Sequence, residues 1–149
     1  MTQKNKELIL KDLCARLPYG VKVECKWKTP APNGTYGILS KLDSFLLDQI
    51  YYYNMDDSNV PFDEFKPYLF PLSSMTEEQK EELLFNYIHN DIDFEDFTDY
   101  FLAGELWHDI CVSMDVLPEL INWLMKNHFD YRGLIPMGLA LDATGLGIY

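Results

Sequence analysis

Three features of this sequence predict an α+β fold. They are an apolar stripe at helical spacing over residues 4–17, strict alternation over 21–28, and a capped helix starting at Thr76. The expected architecture is an N-terminal helix, a small antiparallel sheet or SH3-like barrel, and a C-terminal helical layer with an ordered tail. The 149 residues read as a single domain, 1–65 supplying a helix plus a strand-rich part and 66–149 a mainly helical part. A chain of this length buries roughly 70% of its unfolded surface. Hydrophobic content of 48%, with 15% aromatic, excludes wholesale disorder.

In the first helix Leu10, Leu13, Cys14 and Leu17 fall at i, i+3, i+4 and i+7, with Ile9 widening the stripe. Lys4, Lys6, Lys11 and Arg16 are assigned to solvent, and Pro18 and Gly20 end the element. From Val21 to Lys28 the chain alternates: Val21, Val23, Cys25 and Trp27 on one face, Lys22, Glu24, Lys26 and Lys28 on the other. That pattern belongs to an antiparallel strand with one wet, basic face. Residues 29–34 are turn material, followed by candidate strands at Thr35–Leu42 and Phe45–Tyr53.

Pro67 and Pro71 favour an extended run from Lys66 to Leu72, because the ring fixes φ and restricts each preceding residue. Thr76 with Gln79 forms a capping-box pair, and Glu77 and Glu78 suit the positive end of the helix dipole. Ser74 with Glu77 is a rival cap. This helix is expected to reach His89, with Leu83, Leu84, Tyr87 and Ile88 facing inward. Asn90–Asp99 is acidic and interrupted, and Tyr100–Met114 is apolar but broken by Gly104, so period does not separate strand from helix over 94–114. Asp115 is the expected N-cap of a helix to Asn127, with Leu117, Leu120, Ile121 and Leu124 inward. Ile135-Pro-Met-Gly138 fits a type I turn.

Charge is unevenly spread. Residues 1–41 carry eight Lys/Arg against three Asp/Glu, whereas 42–149 carry four against twenty-one, for a net charge of −12 overall. Such a chain repels nucleic acid as a whole while attracting basic partners. Cys14, Cys25 and Cys111 are odd in number and widely spaced, so neither a disulfide framework nor a zinc knuckle is expected. With no apolar run of 18 residues and no signal-peptide core, the expectation is a soluble, cytoplasmic protein.

The segments DLCARLPYGV (12–21), KPYLFPLSSMTEEQKEE (66–82) and NHFDYRGLIPMGLALDAT (127–144) resemble blocks of small uncharacterised proteins of anaerobic gut bacteria and of the phages and prophages they carry. The resemblance implies a mobile-element or phage accessory protein. It also implies that the N-terminal strands and the C-terminal tail form one unit, and it assigns no catalytic residue.

Candidate chemistry is sparse. Asp91-x-Asp93-x-Glu95 opens like a calcium loop, but Asp96 stands where glycine is required and Leu102 where a bidentate Glu belongs, so a solvated acidic loop is preferred and no metal or cofactor is expected. His108-Asp109 and His89-Asn-Asp91 offer a base with an orienting carboxylate but no nucleophile motif, so a small enzyme ranks last. His128, Asp130 and Arg132 can line a polar pocket, although a helix end that needs cationic donors and the backbone freedom of Gly133 explains the same residues structurally. Lys22, Lys26 and Lys28, with Lys41, can meet phosphates, but alternation puts Trp27 on the opposite face. The leading expectation is a non-enzymatic acidic interaction protein that binds a basic protein. A nucleic-acid-binding accessory protein using the lysine face is the alternative.

Overall fold

The computed structural model describes residues 1–25, 38–41, 65–88, 92–103 and 116–149. They fall into two units, Met1–Leu69 with Leu134–Tyr149, and Phe70–Gly133. Their elements are α1 (Gln3–Arg16), β1 (Lys22–Cys25), β2 (Ile38–Lys41), β3 (Phe65–Leu69), α2 (Glu77–Tyr87), α3 (Phe94–Ala103), α4 (Leu117–Lys126) and β4 (Leu141–Asp142). This is the predicted α+β class. The sheet order is β2-β1-β3-β4, with β1 antiparallel to both neighbours and β4 parallel to β3. The sheet is therefore mixed rather than purely antiparallel, and among the described residues it does not close into an SH3-like barrel. The candidate strand Phe45–Tyr53 lies outside the described residues.

In the first unit Thr2 caps α1, its hydroxyl accepting from the Asn5 N–H at 3.2 Å. The helix buries Ile9, Asp12, Leu13 and Arg16, one turn-to-turn row, whereas Cys14 is exposed. Ile9 and Leu13 lie in the core and Leu10 and Leu17 pack against it, as the stripe predicts; the corrections are Cys14, which is exposed, and Arg16, which is buried. Arg16 turns inward because Nε meets Asp12 Oδ2 at 2.7 Å with both side chains fully buried, and each charge offsets the other's desolvation. Beneath the helix, Val21, Val23, Phe65 and Leu69 bury one face of the sheet, while Lys22, Glu24, Lys66 and Tyr68 alternate with them in half-exposed positions. The register pairs Val23 with Pro67, and β4 pairs only from Tyr68 onward, so Pro67 lies where β3 has a single neighbour, as its missing N–H favours.

The tail completes this core. Leu134, Leu139 and Ala140 join the cluster around Ile9 and Leu13. Gly138 N–H donates to Ile135 C=O at 2.9 Å, closing the predicted turn, with Gly138 at φ 71°. Ala143 N–H donates to Leu69 C=O at 2.9 Å. Tyr149 then clasps two strands: its hydroxyl accepts from the Lys22 N–H at 2.9 Å and donates to the Tyr68 C=O at 2.7 Å.

In the second unit a single 3-10 turn at Leu72–Ser74 precedes α2, so extension stops at Pro71 and Ser74 caps no α-helix. Thr76 does: its hydroxyl accepts from Gln79 N–H at 3.3 Å, and its N–H donates to Gln79 Oε1 at 3.0 Å. The helix ends at Tyr87, with Ile88 extended; His89 lies outside the described residues. The acidic stretch is not a loop throughout, since α3 covers Phe94–Ala103. Asp93 Oδ1 accepts from the Asp96 N–H at 2.9 Å and caps it. The N-cap of α4 is Val116, without a side-chain bond, which displaces the predicted Asp115. Leu72, Met75, Leu83, Ile88, Phe97, Leu120, Leu124 and Phe129 form this unit's core.

Candidate functional site

The predicted cluster at 128–132 is built by the way α4 stops. Asn127 is the C-cap, and its Nδ2 donates to Trp123 C=O at 2.9 Å. His128 takes φ 60°, His128 N–H donates to Met125 C=O at 3.1 Å, and Phe129 N–H to Leu124 C=O at 2.9 Å. This is a Schellman ending in which histidine occupies the left-handed position usually given to glycine. The chain then pairs with the segment before α2. Phe70 N–H donates to His128 C=O at 2.9 Å and Asp130 N–H to Phe70 C=O at 2.8 Å, a parallel bridge between Phe70 and Phe129. Asp130 is 4% exposed, and the Arg132 guanidinium lies 4.7 Å from the centroid of the Tyr131 ring. His128, Asp130 and Arg132 thus share one helix-ending turn, and none lines either of the pockets below.

The first pocket, of about 240 Å³, is lined by Phe70, Ser74, Thr76, Gln79, Asn127 and Phe129. Its floor is held from behind: Trp123 stacks on Phe129 at 5.8 Å and 15°, and Trp123 Nε1–H donates to Glu82 Oε1 at 3.0 Å. The second, of about 270 Å³, is lined by Ser73, Lys80, Phe94, Glu95 and Thr98. Lys80 is already engaged there, 2.6 Å from Glu77 Oε1 and 5.3 Å from the Phe94 ring centroid.

The helices around these pockets present carboxylates to water. Glu77, Glu78, Glu81, Glu82, Asp93, Glu95, Asp96, Asp99 and Glu119 are all exposed. Bonds from its own backbone N–H and from Thr76 at the N-terminus of α2 lower the Glu78 pKa. Partial burial, reinforced by Glu82 and Glu119, raises that of Tyr87. Phe85 on α2 stands 86% exposed amid these acids. Among the described residues no group of three His, Cys, Asp or Glu is arranged to hold a metal ion, and Asp93 of the suspected calcium loop serves instead as a helix cap.

Of the predicted lysine face, Lys22 is half-exposed on β1, registered opposite Lys41. Glu24 follows two residues along the same face, opposite Lys66, so an acid interrupts the bases. Lys26 and Lys28 lie outside the described residues. Nothing in the sequence marks Ser74, Gln79 and Asn127 as residues of one site. The capping pattern marks Gln79, but only as a helix starter. Comparison of the chain with protein-family models, curated proteins and solved structures finds no match. No described helix is long and apolar enough to cross a membrane.

Proposed function

We propose that this chain is a non-enzymatic interaction protein, a phage or mobile-element accessory protein of the bacterial cytoplasm, whose helical unit binds a basic protein partner. The observation that carries this reading is the set of nine exposed carboxylates on or beside α2, α3 and α4, against which the described cations of these helices are Lys126 and Lys80, the latter taken up by Glu77 and Phe94. Carboxylates in such excess on a rigid scaffold steer a cationic partner and set its orientation. Backbone strain at His128 fits the ending of a helix and does not require a reaction.

The test is capture from bacterial lysate by the wild-type chain and by the triple variant Glu81→Lys, Asp99→Lys, Glu119→Lys. These residues are exposed, so the variant folds, as its thermal melt will verify. A basic protein retained by the wild type and lost by the variant supports the reading. A partner that the variant retains equally, or capture of nucleic acid alone, overturns it and favours the lysine-face alternative.

A further inference from the structure

The pocket lined by Phe70, Ser74, Thr76, Gln79, Asn127 and Phe129 has a rim whose hydrogen-bonding atoms are already sorted. Gln79 Oε1 accepts from the Thr76 N–H at 3.0 Å. That bond fixes the carboxamide's orientation and leaves Nε2, a donor of two hydrogens, unengaged among the described residues. Asn127 is held the other way, its Nδ2 donating to Trp123 C=O at 2.9 Å, so Oδ1 is left as an acceptor. Ser74 Oγ–H donates to Pro71 C=O at 2.8 Å, so only its lone pairs remain. The lining therefore offers the Gln79 NH₂ and the second hydrogen of Asn127 Nδ2 as donors, Asn127 Oδ1 and Ser74 Oγ as acceptors, and no charge, beside two phenyl rings.

A carboxamide is the complement of that pattern. Its carbonyl oxygen takes the Gln79 N–H, and its NH₂ donates to Asn127 Oδ1 or Ser74 Oγ. Phe70 and Phe129 suit a flat ring attached to it, since aromatic pairs favour tilted or offset contact. Benzene occupies an engineered cavity of about 150 Å³, so about 240 Å³ admits one substituted six-membered ring. Each rim group is locked by a bond behind it, which is how binding sites keep their geometry before the ligand arrives. We propose that this pocket binds a small molecule bearing a planar, uncharged carboxamide on an aromatic ring. No lining residue is acidic, so the proposal does not depend on the partner reading.

The experiment is an NMR titration of the full chain at 0.15 M salt with benzamide, benzamidine and propionamide. Benzamide should shift the side-chain NH₂ signals of Gln79 and Asn127. It should bind about tenfold tighter than benzamidine, whose cation has no acceptor carbonyl, the size of one lost hydrogen bond. Propionamide, lacking the ring, should bind about tenfold weaker as well. Gln79→Glu keeps an N3 acceptor for the Thr76 N–H, so the capping box survives. That variant replaces the donor with a carboxylate, so its preference should reverse from benzamide to benzamidine. No saturable benzamide binding overturns the proposal. So does equal affinity of the wild type for the three ligands, or unchanged benzamide affinity in a folded Gln79→Glu variant.

Discussion

His128 sits at φ 60° where α4 ends, a region in which a Cβ is strained and glycine is not. His128→Gly is therefore expected to stabilise the protein by about 0.5–1 kcal/mol in a urea melt. A loss instead would mean that the imidazole makes contacts worth more than the strain. Tyr149 offers a second single-residue test. The residue is 44% exposed, yet its hydroxyl lies between the Lys22 N–H and the Tyr68 C=O and bonds to both. Desolvation pushes its pKa up to about 12, against the lowering effects of the Lys22 bond and of Arg16. Burial favours the protonated, neutral phenol. The stabilisation is thus fully present below the unfolded value of about 10 and is lost as the pH rises towards about 12. Tyr149→Phe should cost about 1 kcal/mol at pH 7, and the gap between variant and wild type should close between about pH 10 and 12. A gap constant across that window would show that the phenol does not titrate with unfolding.

At the level of elements, α4 depends on its inward row. Leu124 is fully buried in the second unit's core, so Leu124→Ala should cost roughly 2–5 kcal/mol; a loss under about 1 kcal/mol would mean the cavity collapses almost completely. This row and the capping box of α2 were legible in the sequence because both are local: residues three and four apart meet on a helix whatever surrounds it. Three features were not legible, each for its own reason. The burial of Asp12 and Arg16 in α1 is hidden because both look like surface residues until they pair at 2.7 Å. Helix α3 was hidden because its cap, Asp93, and its first-turn acids Glu95 and Asp96 read as an acidic loop. The parallel pairing of Leu141–Asp142 with Tyr68–Leu69 joins segments too distant for any spacing rule. The candidate sites divide the same way. The turn at 128–132 was visible as a helix ending, whereas the pocket joins Gln79 to Asn127 and Phe129 and depends on which carboxamide atom each spends on its own backbone.

For the whole molecule the deciding quantity is charge. A net charge of −12 with nine exposed carboxylates on the described part of the helical unit gives a field that reaches far at low salt. The Debye length shrinks from about 30 Å at 0.01 M to about 8 Å at 0.15 M. If a basic partner is steered by this field, its association rate should fall severalfold over that range while its dissociation rate changes less, because short-range contacts hold the complex once formed. Stopped-flow mixing with the captured partner reads both rates directly. An association rate indifferent to salt would mean that the acids keep the protein soluble and play no part in recognition. Duplex DNA provides the opposing arm. Its phosphates are repelled by the acidic unit, and the bases that oppose this include Lys22, with Glu24 interposed before Lys66 on the same sheet face. Binding at physiological salt should accordingly be weaker than micromolar. A micromolar or tighter complex that weakens on changing Lys22, Lys26 and Lys28 to Ala would transfer the function from the acidic helices to the sheet.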